Sequence, residues 1–403
     1  MVQNINRRWM RVVSCAVVTG AATVAYSDGL DAERDGVRFL VQPNVIWRAD
    51  RKFAFAREPL LARMPDKSLV CALYTGGRRE PDTNNVVAVI RSRDDGETWT
   101  KPQVIFSHPH RACWATELNT LGERPELVFQ TFDGNTYYSN LRPFRTWTDD
   151  SGKTWSPPVS YNGLPQSFTT RQGLRLADGA LVYPIYWQEC RGCFDGWVTY
   201  TESGWDLSNW SRNGQWWFAS GSIRSDDGGA SWTFAAVPQA EPRKGRQLDQ
   251  WEPAIVEVSP GKLKMFVRVA TEERVLWESE SADGGRSWSR LHPGEIANPG
   301  TKMQVLAHKG KVLLFNNTCT RESPDRYRLE AMVSSDGCRS WRHVPLADSS
   351  HSGSAKCDWA DNTHAQVAYP SAILEDGSQM CYLVIDSIDR FYLMKIPYER
   401  IGL

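Results

Sequence analysis

Residues able to do chemistry are unevenly spread along this 403-residue chain. Cys190 and Cys193 form a C-x-x-C, the spacing of a redox pair or of half a metal clamp. No second C-x-x-C and no H-x-x-x-H accompanies it, so no structural zinc is expected; a local disulfide or two unrelated thiols fits better. With nine Cys in all, and eight once Cys15 is removed with a leader, disulfides are compatible with an exported protein. His364 has the residue type of an acid or base, although a lone histidine is more often a surface residue. The 18 Trp exceed what one core requires. Six of them (Trp187, Trp197, Trp205, Trp210, Trp216, Trp217) crowd one interval, where each taken singly is a strand residue and together they could offer stacking faces to sugar rings. Asn209-Trp210-Ser211 and Asn316-Asn317-Thr318 fit the glycosylation sequon of a eukaryotic host.

The elements that must carry such residues are announced by a repeat. The octad S/T-x-D-x-G-x-S/T-W occurs at 92–99 (SRDDGETW), 148–155 (TDDSGKTW), 225–232 (SDDGGASW) and 281–288 (SADGGRSW). A weaker copy at 334–341 (SSDGCRSW) has Cys338 in place of the second glycine. Asp accepts from turn amides, Gly supplies positive φ and Trp packs under the turn, so each octad reads as a tight hairpin. Their tryptophans recur at intervals of 56, 77, 56 and 53 residues, the period of a propeller blade. A second series of turns, at Pro65-Asp66-Lys67, Asp133-Gly134, Asp178-Gly179, Pro260-Gly261, Lys309-Gly310 and Asp376-Gly377, is flanked by short apolar runs. Six such hairpins predict an all-β, six-bladed propeller. The last blade lacks an octad, and its outer strand is expected from the segment before Arg51, closing the ring.

Arg7, Arg8 and Arg11 precede an uncharged stretch from Val12 to Ala25, the pattern of a signal peptide spanning 1–25. The expected mature protein is then a single domain, 26–403, secreted or periplasmic. No later segment is long and apolar enough to span a membrane. Lys plus Arg and Asp plus Glu are 47 each, and this balance argues against nucleic-acid or anionic-membrane binding.

From roughly Arg51 to Ile401 the chain resembles the sialidase superfamily, whose Asp-box (BNR) repeats match the octads. The resemblance implies a six-bladed propeller that binds and cleaves terminal sialic acids, with no essential metal or organic cofactor. Residue by residue, Arg57-Glu58-Pro59 is similar to the family's R-I-P signature, whose arginine holds the substrate carboxylate, but its middle residue differs. Asp82, in GGRREPDTNN, stands where the family has its acid/base; Glu80 is the other acid there. Trp251-Glu252-Pro253, followed by Arg268, resembles the segment with the catalytic Glu and the second arginine, and Glu252 is preferred to Glu257. Arg326 matches the third arginine, with Arg321 and Arg328 close by. Tyr369 precedes the Asp376-Gly377 hairpin as the family's nucleophilic tyrosine precedes its own, although Pro370 and Ser371 depart from the usual Y-S-D.

The implied chemistry is coherent. Arginine forks bind a carboxylate bidentately where lysine offers a point charge. A neutral tyrosine hydroxyl avoids the repulsion that an anionic nucleophile would meet at an anomeric carbon bearing a carboxylate, and sialidases are the known tyrosine exception among glycosidases. Tyr369 would attack, Glu252 accept its proton, and Asp82 protonate the leaving oxygen and then activate water, with overall retention. Sialylated or other acidic glycans are the expected partners. Two other readings stand beside this one: a lyase or hydrolase acting on uronic-acid polysaccharides, motivated by Glu58, Pro370 and Ser371, and a carbohydrate-binding propeller without catalysis, motivated by the Trp-rich interval.

Overall fold

The computed structural model describes residues 29–403 apart from 79, 134–138, 162–167, 192–199, 202–203, 206–214, 244–246, 270, 320–324, 351–365 and 388. The leader at 1–25, Cys193, Trp197, the Asn209 sequon, Arg321 and His364 lie outside the described residues, as do the side chains of Cys190, Trp205 and Trp216.

Six antiparallel blades surround an axis. Their innermost strands are Ala56–Arg63, Ala112–Asn119, Phe168–Thr170, Gln250–Ser259, Gln304–His308 and Ala368–Glu375. The sixth blade is completed by Asn44–Arg48, which pairs with Arg390–Pro397, so N-terminal and C-terminal strands share one sheet and close the ring. A closed ring leaves no inner sheet edge unpaired. Blade interfaces are apolar: Trp47, Leu61, Leu73, Val384 and Leu393 pack into one cluster between the sixth and first blades. Five of the six expected inner hairpins fall where their turn residues stand. Asp133-Gly134 does not, because the inner hairpin of the second blade turns between Asn119 and Glu126, and Asp133 ends its second strand.

Each octad follows the third strand of its blade, at the end of the barrel where the innermost strands finish. Ser281 Oγ donates to Asp283 Oδ1 (2.8 Å) and accepts from Gly285 N (2.8 Å), while Asp283 Oδ1 also accepts from Ser287 N (2.9 Å). The other octads repeat this pattern, and Cys338 takes the left-handed place of Gly285 with φ 70°. The octads do more than turn their own hairpins, for each clasps the preceding blade. Trp288 Nε1 donates to Ser222 Oγ of the third blade (2.8 Å), Trp341 lies against Phe266 of the fourth, and a Cβ on Gly96 would strike Leu393 of the sixth. Where an octad is missing, after Arg390–Pro397, the short helix Tyr398–Ile401 takes its place. Tyr398 and Ile401 are buried, and Arg342 Nη2 of the fifth blade donates to Ile401 O (2.6 Å).

Several sequence expectations change once the packing is visible. Cys71, Cys113, Cys338 and Cys381 are single buried thiols, and burial pushes Cys71 and Cys113 up to about 12, so these four are inert core residues rather than disulfide partners. Asn316 is no glycosylation site: it is buried, accepts from Asn298 Nδ2 and donates to Ala297 O. Trp187 is buried in the core of the third blade and Trp217, partly buried, packs against it.

Candidate active site

At the start of three innermost strands the same local device recurs. Arg57-Glu58-Pro59, Trp251-Glu252-Pro253 and Ala368-Tyr369-Pro370 each interrupt the ladder with a bulge. At each bulge the central residue is left-handed, with φ 49° at Glu58, 48° at Glu252 and 51° at Tyr369. Proline suits the unpaired position because it has no N–H to donate. A bulky residue at positive φ costs roughly 1–3 kcal/mol and persists only where the surrounding structure holds it in place. The bulges turn the Glu58, Glu252 and Tyr369 side chains toward the axis.

Tyr369 is the centre. Arg326 Nη1 donates to its hydroxyl (3.0 Å) and Arg326 Nη2 to Gly300 O (3.0 Å). The Arg57 guanidinium lies 4.8 Å and that of Arg326 5.2 Å from the Tyr369 ring centre, with the Lys302 ammonium at 5.8 Å. Arg57 is fixed from behind by Asp386, whose carboxylate accepts from Arg57 Nε (2.8 Å) and Glu58 N (3.2 Å). Arg268 sits opposite Trp251 in the strand register and donates from Nη1 to Glu252 Oε2 (2.6 Å). Burial raises the Tyr369 phenol despite the lowering influence of Arg326, Arg57 and Arg268, so the hydroxyl is neutral at pH 7. Burial alone would raise Glu252 as well, but Arg268 and Arg171 outweigh it and hold that carboxyl below the usual range. Glu252 acts electrostatically on the Tyr369 phenol and adds to its rise.

The structure thus brings Arg57, Glu252, Arg268, Arg326 and Tyr369 together. It sets Glu257 at the far end of its strand, where it accepts from Ala177 N and Gly261 N (both 2.8 Å) and holds a turn. Arg328 pairs with Asp348. The Asp82 carboxylate accepts from Arg78 N (3.2 Å), Asn84 N (2.9 Å) and Asn84 Nδ2 (2.8 Å) within its own loop. Glu80, from the same loop, acts electrostatically on Arg57 and Glu58. Pro370 and Ser371 have structural jobs, since Pro370 lies in the bulge and Ser371 Oγ accepts from Leu61 N of the first blade (2.8 Å).

Sequence reading missed a charged layer beneath the tyrosine. Arg171 Nη1 donates to Glu58 Oε2 (2.5 Å) and Nη2 to Glu252 Oε1 (2.9 Å), and Lys302 Nζ lies 3.9 Å from Glu58 Oε2. Glu117, buried on the second blade, accepts from Gly173 N (3.2 Å), and burial lifts it to about 8. With Tyr369, each of the six blades contributes one axial side chain. A usable signal was present for Glu58: its E-P pair is the same as that of Glu252-Pro253. Behind this layer an axial cavity of about 480 Å³ is lined near its floor by Glu117, Arg171, Glu252 and Lys302 and at its other end by Arg63 and Glu375. Among the described residues no cluster has the donors for a metal ion.

Fold and site together define a six-bladed propeller of the sialidase/BNR-repeat superfamily. The chain belongs to the BNR repeat-like domain family, which matches residues 68–381. Among solved structures it is similar to the Hadza microbial sialidase Hz136 (16% identity, TM-score 0.63), covering 86% of this chain and 66% of that one. It is similar to a Trypanosoma rangeli sialidase mutant displaying trans-sialidase activity (16%, TM-score 0.61; 92% and 60% covered). A protein of unknown function from Dyadobacter fermentans DSM 18053 matches over its whole length (17%, TM-score 0.61), covering 90% of this chain. This chain therefore spans less than two thirds of the two sialidases. No curated protein matches it in sequence.

Proposed function

We propose that the protein is an exo-α-sialidase-like glycoside hydrolase releasing a terminal sialic acid, or a related acidic sugar, from glycoconjugates. The observation that carries this reading is Tyr369 set against the Arg57 and Arg326 guanidinium groups, with Arg268 holding Glu252 and both acting electrostatically on the phenol. Arginine forks would hold the sugar carboxylate, which fixes the anomeric carbon against the tyrosine. The phenol oxygen attacks that carbon as its proton passes to Glu252, and the bond to the leaving oxygen breaks as an acid of the 76–85 loop protonates it. Asp82 is assigned that role. Asp82 then takes a proton from the water that attacks the anomeric carbon and breaks its bond to the tyrosine oxygen, while Glu252 returns its proton to Tyr369, giving retention. Export through the 1–25 leader would place the enzyme where glycoconjugates are exposed.

A fluorogenic α-sialoside tests this. Tyr369→Phe should lower kcat/KM at least about 10³-fold while the protein stays folded. Asp82→Asn should spare substrates with an activated phenolic leaving group more than natural glycosides. If Glu80→Gln does so instead, the acid is Glu80. No turnover by folded wild type, with an unsaturated ultraviolet-absorbing product from uronic-acid glycans, would replace the hydrolase by a lyase.

A further inference from the structure

Arg171 enters from the third blade, immediately after Phe168–Thr170, and its backbone N–H is tied to Pro184 O (2.8 Å). Its guanidinium stands 5.0 Å from the Trp114 ring centre, and Nη2 donates to Tyr186 OH (3.3 Å), so aromatic walls hem it in. The two ends of its fork reach different blades, Glu58 on the first and Glu252 on the fourth, and all three side chains are buried. Glu252 consequently has both oxygens occupied, Oε1 by Arg171 and Oε2 by Arg268.

We propose that Arg171 is a positioning residue for Glu252: anchored on Glu58, its guanidinium holds the Glu252 carboxylate oriented and charged beside Tyr369. This inference rests on the reading of Glu252 as the proton acceptor. A planar fork is needed because one guanidinium must satisfy two carboxylates about a fixed geometry, which a lysine cannot do. Glu58, the residue that departs from R-I-P, supplies the counter-anchor, and Lys302 supplies the second cation that a buried Glu58 requires. The charged and titratable groups facing Glu252 are Arg171, Arg268, Lys302, Glu58, Tyr186 and Tyr369. Glu58 and Glu252 share one guanidinium, so their titrations are linked: burial raises Glu58 while the arginines lower Glu252.

The test uses the full chain with ¹³C-labelled glutamate carboxyls, the Glu252 signal being identified by its loss in Glu252→Gln. Arg171→Met should raise the Glu252 titration midpoint by about 1–3 pH units, and Arg171→Lys should restore part of the shift. On an acidic glycoside the acid limb of kcat/KM should rise in parallel, with kcat falling about 10²-fold for Arg171→Met. Glu58→Gln removes the anchor together with a like charge, so kcat should fall without the limb rising. Should Arg171→Met not fold, Arg171→Lys and Glu58→Gln carry the test. A Glu252 midpoint that stays put in the folded Arg171 variants, or a rate loss in those Arg171 variants that is equal at every pH, would overturn the proposal. A shifted midpoint in a protein that turns over no acidic glycoside would sustain the hold of Arg171 on Glu252 and sink only the catalytic reading.

Discussion

Glu117 and Glu252 are buried carboxyls on the same axis, yet their neighbours drive them in opposite directions. Glu252 keeps its charge because two guanidinium groups grip it, whereas Glu117 receives one backbone N–H bond and the side chain of Asn119, and burial dominates. A carboxyl whose folded pKa is about 8 binds a proton that the unfolded chain has already lost above about pH 4.5. Its contribution to stability is therefore greatest below about pH 4.5 and declines as pH rises toward 8. Glu117→Gln keeps the neutral shape and removes that dependence. The variant should be more stable than wild type at pH 8, by roughly 3 kcal/mol, and equal to it near pH 5. Urea titrations at the two pH values check this; an equal difference at both would show that Glu117 is not neutral in the folded protein.

Among the elements, the octads illustrate how a local motif acquires a nonlocal task. Serine and backbone bonds hold the Asp283 carboxyl down to about 2 although burial works against it, so the turn keeps its shape through the ordinary pH range. What the turn then does is deliver Trp288 against the third blade. Trp288→Ala should remove a buried indole and its bond to Ser222, costing about 3–5 kcal/mol, while Trp288→Phe recovers most of the packing. Thermal unfolding of both variants checks the claim. A loss below 1 kcal/mol for the alanine variant would mean the octad serves its hairpin alone. The bulges at Glu58, Glu252 and Tyr369 are the complementary case, since their E-P and Y-P pairs are plain in the chain but their inward turn exists only in a paired sheet.

At the scale of the whole molecule, closure is the decisive feature. Trp47, from the segment completing the sixth blade, is buried with its ring centre 5.2 Å from that of Phe391. Because the blades form a ring, weakening this seam should lower the midpoint of the entire unfolding transition. Trp47→Ala is expected to cost about 3–5 kcal/mol in a single calorimetric transition. A separate early transition would show that the sixth blade melts independently. Arg57 and Asp386 lie across the same seam, so the placement of Arg57 depends on ring closure.

The linear chain determined the repeat, the blade number and the type of turn, because octads and apolar runs are local patterns enforced by backbone hydrogen bonding and burial of alternate side chains. Arg57, Glu252, Arg268, Arg326 and Tyr369 were singled out through their resemblance to sialidase motifs, and the closed ring brings them together. Arg171, Lys302, Glu117 and Asp386 were not. No pattern of spacing marks them, since each matters only through partners far away in sequence, as with Arg57 and Asp386 or Arg171 and Glu58. Those pairings, and the choice between an ionised and a neutral buried carboxyl, depend on which charges the closed ring brings within a few ångströms where water is excluded. That is decided by the tertiary structure alone.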